Sequence, residues 1–424
     1  MTRIVLRGGR VFDGTGADAF DADVVVDGDR IVSAGPPAGD GASGGERAGG
    51  SPGGSSGSGG SGDTVIDVTG MLIAPGLIDC HVHTVFDGMD LLRVQGRPFS
   101  MEFFEAAVVL KRLLESGVTT VRDAGGADLG VKTAVETGLI PGPRMAIAIS
   151  VLSQTGGHVD GWNVHGDNLR LMVPHPGRPD CVVDGVEDMR KRVREVIRAG
   201  ADVIKVCASG GVMSTRDDPR HAQFSYAELA VCVEEAAATG RSVMAHAHGA
   251  AGIKQALRAG VRSIEHGVYI DDECIELFLQ TGAWLVPTLL APVSLVEAIE
   301  AGMRVTPEIE AKARAVSDLH VQAIARAHAA GVKIAMGTDS GVFAHGINHK
   351  ELAWMVRAGL SPQQSLRAAT GSAAELLERS DIGGVAPGKL ADLVVVGGDP
   401  WDFDRFDQNL QLVMKGGQVV RDAR

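Results

Sequence analysis

The chain has 424 residues, of which 45% are hydrophobic and 22% are charged, and its formal net charge is −13. This composition is typical of a globular protein, and the length allows one large domain or two ordinary ones. Because the chain is acidic, nonspecific binding to nucleic acid or to an anionic membrane is disfavoured, and we expect neither as a partner.

The sequence indicates no membrane span and no secretion signal. No apolar run approaches the roughly 20 residues that cross a bilayer, and the segment after Met1 has too short an apolar core for a signal peptide. The five cysteines are scattered and form no C-x-x-C pair, a pattern that fits reduced thiols. We therefore expect a cytoplasmic protein, and we expect it to be a homo-oligomer.

The two ends of the chain predict a small β region. Short β segments separated by Gly and Asp turns occupy residues 3–33, and another lies at 64–68. From about residue 36 to 62 Gly and Ser dominate, and a flexible surface loop is predicted because such a segment buries little apolar surface. Further β segments lie at 391–396 and 412–420, and we expect them to pair with the N-terminal strands.

From about Leu72 to residue 380 the sequence repeats one unit: a helical stretch, a glycine and a short apolar strand. Val203–Val206 and Trp284–Val286 are two of these strands, and eight can be counted when Leu72–His83 is included. Apolar strands that alternate with helices indicate a parallel sheet covered on both faces. A doubly wound open sheet is the alternative, but no Gly-x-Gly-x-x-Gly fingerprint opens any unit.

We therefore predict an α/β fold with a (β/α)8 TIM-type barrel at residues 72–380. The barrel would be inserted into a small discontinuous β-sandwich domain formed by both termini. Residues 1–71 would contribute the first part of that domain, and residues 381–424 the second part.

Side chains that bind metals stand at the predicted C-terminal ends of several strands, where active sites of such barrels lie. His81 and His83 are two residues apart on a strand and therefore share a face. His246, His266 and Asp339 end three later strands. Only 13 of the 424 residues are histidines, so four of them at strand ends favour a metal site over the alternative of packed core histidines.

Lys205 lies inside the apolar strand Val203–Val206. A buried lysine without a partner is costly to keep charged, and its pKa falls. A neutral amine can react with carbon dioxide to form a carbamate, which is an anionic oxygen ligand able to bridge two metals. The alternative is a lysine that is paired with a nearby carboxylate.

These residues together make the chain resemble the amidohydrolase superfamily, in its binuclear subtype with a carboxylated lysine. Ala74–Asp79 before the first histidines and Gly388–Val395 near the C-terminus add to the resemblance. Gly156–His158, Lys205–Val212 and His246–Gly249 resemble one branch, which contains Xaa-Pro and Xaa-Arg/Lys dipeptidases and ochratoxin-hydrolysing amidases. Imidazolonepropionase is a neighbour of that branch.

The resemblance implies two divalent metal ions. His81 and His83 would hold the more buried metal together with Asp339, and His246 and His266 would hold the second. Lys205, carboxylated by carbon dioxide, would bridge them. Nitrogen and oxygen ligands without a thiolate suit Zn²⁺ best, although manganese, iron or cobalt could fit.

The branch implies hydrolysis of an amide or peptide bond next to a C-terminal carboxylate, by attack of a metal-bridging hydroxide. Dipeptides, N-acyl amino acids and ochratoxin A-like amides are the candidate substrates. Asp339 would move the proton to the leaving nitrogen. The alternatives are a cyclic-amide hydrolase of the imidazolonepropionase type and a noncatalytic scaffold with the same fold.

Loop residues are predicted to contact the substrate. His158 is a candidate donor to the oxyanion, with a loop-stabilising hydrogen bond as the alternative. His248 should share the inward face with His246 and contact the substrate. The loop at Gly210, Gly211 and Val212 could offer backbone N–H groups to a substrate carboxylate.

Four further histidines are predicted to lie away from the chemistry. His345 and His349 follow Asp339 closely and are expected at the surface rather than in the pocket. His320 and His328 fall on a polar helix and are expected to be structural.

Overall fold

The computed structural model describes residues 3–35, 62–88, 90–163 and 165–424. The loop predicted at about 36 to 62 therefore lies almost entirely outside the described residues. The strands of the described part are β1 (Ile4–Val11), β2 (Phe20–Asp27), β3 (Arg30–Gly35), β4 (Thr64–Asp67), β5 (Leu72–Pro75), β6 (Leu77–Val82), β7 (Val118–Asp123), β8 (Arg144–Ile147), β9 (Val151–Leu152), β10 (Ile204–Cys207), β11 (Val243–Ala247), β12 (Ser263–His266), β13 (Trp284–Val286), β14 (Lys333–Ile334), β15 (Leu393–Val396), β16 (Leu410–Lys415) and β17 (Gln418–Asp422).

The helices alternate with the strands over the middle of the chain. They are α1 (Leu91–Gly96), α2 (Met101–Glu115), α3 (Leu129–Glu136), α4 (Val186–Arg198), α5 (Tyr226–Ala237), α6 (Ala250–Ala259), α7 (Asp272–Thr281), α8 (Leu290–Glu300), α9 (Pro307–Ala329), α10 (Lys350–Arg357), α11 (Pro362–Ala368), α12 (Gly371–Leu376) and α13 (Phe406–Asn409). Within the described ranges, no helix has the length and apolarity that a membrane crossing requires.

Strands from both ends of the chain form one mixed sheet in the order β17-β16-β15-β5-β1-β2-β3, with β4 also paired to β1. The C-terminal strand β15 pairs with β5, a segment that was predicted as part of the barrel, and joins the sheet of the N-terminal strands through it. Leu6 and Ile31 share an apolar cluster with Leu393 and Leu412, so the sheet curls and brings its two ends together around one core. The division into the two stacked layers of a sandwich stays a prediction.

The strands between Leu77 and Ile334 form two parallel sheets. Their orders are β14-β13-β12-β11-β10-β9 and β6-β7-β8. The backbone joins the outer strand β6 to the chain after β14, because Cys80 N–H donates to Met336 O at 2.9 Å and Asp339 N–H donates to His81 O at 2.7 Å. Parallel strands alternating with helices are the predicted TIM-type α/β architecture, and closure of the complete barrel stays a prediction.

The structure differs from the prediction at the first apolar run. Leu72–His83 was predicted as one strand, but it contains two strands, β5 in the curled terminal sheet and β6 in the parallel sheet. The change occurs at Gly76, where an added Cβ would lie 2.2 Å from Thr119 Oγ1. The glycine therefore lets the chain pass close to β7 as it moves from one sheet to the other.

Candidate metal centre

The six predicted ligands line one buried cavity of about 140 Å³. They are His81, His83, Lys205, His246, His266 and Asp339. They come from five separate segments of the chain, so the parallel sheets bring together residues up to 258 positions apart, the separation of His81 and Asp339 (339 − 81). The structure therefore brings all six to one cavity, five of them in two neighbouring groups and Lys205 outside both groups.

His81, His83 and Asp339 form the first group, with potential ligand atoms within 4.8 Å of one another. Asp339 Oδ1 lies 3.4 Å from His81 Nε2 and 3.2 Å from His83 Nε2. Burial acts to raise the pKa of Asp339, but the two histidines outweigh it and hold this pKa well below its usual range. Asp339 is therefore an ionised carboxylate, as a metal ligand must be.

His246, His248 and His266 form the second group, again with potential ligand atoms within 4.8 Å of one another. Burial is the main cause that lowers the pKa of each of these three rings well below the usual value. Neutral imidazoles are the form that binds a metal. His248 was predicted to contact substrate, and its ring stacks on His266 with a centroid distance of 4.7 Å.

Lys205 lies between the two groups, with Nζ at 3.4 Å from His81 Nε2. Its side chain is buried, and burial is the main cause that lowers its pKa. No carboxylate in the described part of the chain forms an ion pair with it. The alternative of a lysine paired with a carboxylate therefore finds no support, and the lowered pKa favours the neutral amine that carbamate formation needs.

The histidine rings are held through one nitrogen each. Nδ1 of His81 lies 2.8 Å from Glu265 Oε2, and Nδ1 of His83 lies 2.8 Å from Gly125 O. Nδ1 of His266 lies 2.7 Å from Thr288 Oγ1. In each ring Nε2 is therefore the nitrogen that can bind a metal, as is usual where a hydrogen bond to the other nitrogen orients a ligand histidine. In His246 it is Nε2 that lies 3.1 Å from Gly210 O, so Nδ1 is the free atom. The residues fit divalent metal ions on these grounds.

Sequence reasoning missed Glu265, which contacts His81, and Arg122, which pairs with Glu265. Arg122 Nη2 lies 3.0 Å from Glu265 Oε1, and Arg122 Nε donates to Cys80 O at 2.6 Å. Both side chains are buried. A charged residue inside a near-continuously apolar strand is unusual unless it is paired, and that signal was available in the sequence.

His158 lies in the loop after β9 and covers the second group. Its ring stacks on His246 with a centroid distance of 4.4 Å. Its Nδ1 lies 2.9 Å from Ser214 Oγ and 3.6 Å from Asp217 Oδ2. The ring therefore both lines the cavity and makes the loop contact that was the alternative interpretation.

The loop after β10 contains Gly210 and Gly211, whose backbone N–H groups were predicted to bind a substrate carboxylate. Gly210 N–H donates to His221 O at 3.1 Å, and Gly211 N–H donates to Asp217 Oδ2 at 3.1 Å. Both N–H groups therefore already have acceptors within the protein, and binding a substrate carboxylate there would require these bonds to break. Val212 lines the cavity.

Three histidines differ from their sequence-based expectation. His320, on α9, was expected to be structural, but it lines the cavity, and its Nε2 lies 2.8 Å from His266 O. His345 and His349 were expected at the surface, and both are buried. His345 Nε2 lies 3.2 Å from His83 O, so this ring packs behind the first group rather than facing solvent.

Comparison with known proteins agrees with this geometry. The family model of the amidohydrolase family matches residues 72–420. The chain belongs to this family. It is 37% identical over 370 residues to ochratoxinase from Aspergillus niger, an alignment that covers 82% of this chain and 76% of that protein.

Two solved structures are similar over almost the whole length. A prolidase complexed with N-methylphosphonate-L-proline has a TM-score of 0.85 and 34% identity, and the match covers 99% of this chain and 100% of that one. A Xaa-Pro dipeptidase with bound methionine in its active site has a TM-score of 0.84 and 30% identity, with 99% of each chain covered. This amidohydrolase is accordingly a hydrolase of carbon–nitrogen amide bonds.

Proposed function

We propose that this amidohydrolase cleaves an amide or peptide bond next to a C-terminal carboxylate. One observation carries the proposal: a single cavity combines two groups of metal-binding side chains with a lysine between them. The similar ochratoxinase, prolidase and Xaa-Pro dipeptidase support the substrate class.

In the proposed centre, His81, His83 and Asp339 would hold one divalent metal, and His246 and His266 would hold a second. Lys205, carboxylated by carbon dioxide, would supply oxygen ligands to both, and Zn²⁺ would be the preferred ion because the donors are imidazole nitrogens and carboxylate oxygens. When bound, such ions polarise the carbonyl of the substrate and lower the pKa of water towards about 7. His248 is a further candidate donor of the second group, since its buried Nδ1 has no partner among the described residues.

The side chains around the centre handle protons and developing charge. Asp339 is ionised and lies in the segment after β14, beside His81 and His83, so it can accept the proton of the attacking water and deliver it to the leaving nitrogen. His158 stacks on His246 with its Nδ1 held by Ser214. Because Nδ1 faces Ser214 and Asp217, Nε2 would donate to the oxyanion of the tetrahedral intermediate when both ring nitrogens carry a proton.

The remaining cavity wall selects the organic part of the substrate. It is apolar, with side chains such as Phe86, Leu171, Met172, Met213 and Leu295. An apolar wall stabilises apolar groups by removing their surface from water, at about 25 cal/mol per Å². Amides of apolar or aromatic amino acids are therefore the proposed substrates.

A substrate panel on zinc-reconstituted protein with added bicarbonate tests the proposal. The panel contains Xaa-Pro dipeptides, N-acyl phenylalanine, ochratoxin A and imidazolone propionate. We expect release of the C-terminal amino acid from the carboxylate-bearing amides, and loss of activity after chelation. Turnover of imidazolone propionate alone would favour the cyclic-amide hydrolase, and protein that binds no metal and turns over no substrate would favour the scaffold.

A further inference from the structure

One face of helix α9 lies against the candidate metal centre. Lys312, Val316 and His320 follow one another at intervals of four residues and therefore share a face of the helix. Val316 and His320 line the metal cavity. Lys312 lies one turn before them, and its amine contacts the loop after β10, which connects that strand to α5.

The amine of Lys312 binds three carbonyl groups of this loop. Its Nζ donates to Gly211 O at 2.7 Å, to Asp217 O at 3.1 Å and to Ser214 O. An ammonium group has three N–H donors, so three carbonyl oxygens satisfy it. Nζ also lies 3.5 Å from Asp217 Oδ1, and the side chains of Lys312 and Asp217 are only 17% and 7% exposed. One side chain of α9 therefore fixes both ends of segment 211–217.

Asp217 and Ser214 connect this segment to His158. Burial acts to raise the pKa of Asp217, but its hydrogen bonds and the charges of its neighbours outweigh it and lower this pKa. A carboxylate only accepts hydrogen bonds, so the hydroxyl of Ser214 donates to Asp217 Oδ1. The oxygen of that hydroxyl lies 2.9 Å from His158 Nδ1 and accepts from its N–H. Asp217 Oδ2 lies 3.6 Å from the same ring nitrogen.

The backbone of the segment also packs against the ring of His158. A Cβ added at Gly211 would lie 2.1 Å from His158 Cε1, so no side chain fits between the loop and the ring. The ring stacks on His246 of the second group with a centroid distance of 4.4 Å and an angle of 18° between the planes. The position of segment 211–217 therefore determines how His158 covers the second group.

We propose that Lys312 is a positioning residue, which holds segment 211–217 so that His158 stays in place over the second group. The effect on turnover rests on the proposed function, but the placement of the ring can be measured without a substrate. A displacement of about 1 Å near the reacting atoms can lower a rate by about 100-fold. Because the contact of His158 with Ser214 limits the displacement, we expect a loss of about tenfold in kcat when Lys312 loses its amine.

The structural test compares Lys312→Met with the matched control Arg314→Met, in zinc-supplemented protein that carries ¹³C-labelled histidine. Arg314 belongs to the same helix, pairs with Glu300 at 3.1 Å and with Glu310 at 3.0 Å, and does not line the metal cavity. The NMR signal of His158 Cε1 is assigned by its absence in His158→Gln. We expect this signal to shift in Lys312→Met, together with about tenfold faster hydrogen exchange of the loop N–H groups. Neither should change in Arg314→Met.

The kinetic test is a double-mutant cycle on an amide that the wild type cleaves. Lys312→Met should lower kcat about tenfold at unchanged KM and unchanged zinc content. In His158→Gln the same change should have no further effect, because the ring that Lys312 positions is no longer present. Asp217→Asn breaks the same series of contacts at the next residue, and it should show the same dependence on His158 if Lys312→Met is too unstable to measure.

Independent losses of kcat that multiply in the double variant would overturn the positioning role, because Lys312 would then act without His158. An unchanged His158 signal in Lys312→Met would overturn it as well. A protein that cleaves no amide, but whose His158 signal shifts in Lys312→Met, would instead contradict the proposed function and leave the placement of His158 by Lys312 intact.

Discussion

Nδ1 of His81 lies 2.8 Å from Oε2 of Glu265, and both side chains are buried in the parallel sheets. Burial alone would raise the pKa of Glu265, but Arg122 and His81 outweigh it and lower this pKa to about 2. Glu265 is therefore a carboxylate that fixes which nitrogen of His81 faces the cavity. We therefore expect the metal affinity of the first group to depend on this pair.

Glu265→Gln should lower metal affinity by about 10-fold to 100-fold, because the amide orients His81 less firmly and weakens its basicity. Titration of metal-free protein with Zn²⁺ in a competing chelator measures the effect. Glu310→Gln is the matched control, since Glu310 is a partly exposed residue of α9 that pairs with Arg314 at 3.0 Å. Equal Zn²⁺ affinity in wild type and Glu265→Gln would contradict the role of the pair.

Lys205→Ala should remove most activity and lower the metal content, because the proposed bridge between the two ions is lost. A direct readout of the modified lysine is the carbamate carbon, followed by NMR after exchange with ¹³C-bicarbonate. We expect that signal in wild type and its absence in Lys205→Ala. A variant with normal metal occupancy and normal rate would refute the bridging role.

The sequence predicts the candidate metal ligands better than it predicts the residues that contact and orient them. Strand alternation and strand ends suffice to select His81, His83 and Asp339, because β6 and the chain after β14 each have one inward face. The partners of those residues depend on which strands become neighbours, so the contact of Glu265 with His81 could not be read from spacing. His320 was misjudged for the same reason: α9 carries many polar residues, but two of its buried residues, Val316 and His320, reach the cavity.

Gly211→Ala should displace His158, because an added Cβ would lie 2.1 Å from His158 Cε1. If His158 donates to the oxyanion, kcat should fall by about 100-fold with metal content unchanged. Gly96→Ala is the control, since no atom of the described residues lies within 4 Å of a Cβ at that position. Measured kcat for Gly211→Ala close to that of Gly96→Ala would show that the placement of His158 is unimportant.

Asp79→Asn should disturb the turn that carries Asp339. Oδ1 of Asp79 accepts from His81 N–H and Thr338 N–H, both at 3.1 Å, and Oδ2 accepts from Thr338 Oγ1 at 2.6 Å and Asn348 Nδ2 at 2.8 Å. An amide nitrogen at one of these positions would face a donor. We expect a loss of about 1–3 kcal/mol in the free energy of unfolding.

Kinetics separate this positioning role of Asp79 from a purely structural one. Asp339 has a left-handed backbone, with φ of 60°, and the bonds of Asp79 stabilise that conformation beside His81. A misplaced Asp339 should lower kcat at unchanged KM under conditions where the variant is fully folded. Asp79→Asn with wild-type kcat and only a lower melting temperature would limit Asp79 to stability.

Ionisation of the buried Glu351 should lower the free energy of unfolding as the pH rises from 6 to 8. Burial is the main cause that raises the pKa of Glu351 to about 8, although its oxygens accept from Leu289 N–H at 2.8 Å and Leu290 N–H at 2.7 Å. In the unfolded chain the pKa of a glutamate is about 4.3. The folded state therefore binds one proton more than the unfolded state between these values, and the free energy of unfolding falls as the pH rises through this window.

Glu351→Gln removes that titration and tests its sign. Urea unfolding of wild type and variant at pH 6 and pH 8 gives the difference between the two proteins, which cancels the pH dependence of metal binding that both share. The wild type should lose about 2 kcal/mol relative to Glu351→Gln over this range, because protonated Glu351 must ionise in a buried site. A difference between the two proteins that stays constant with pH would mean that Glu351 is already ionised at pH 6, with the N–H groups of Leu289 and Leu290 compensating its burial.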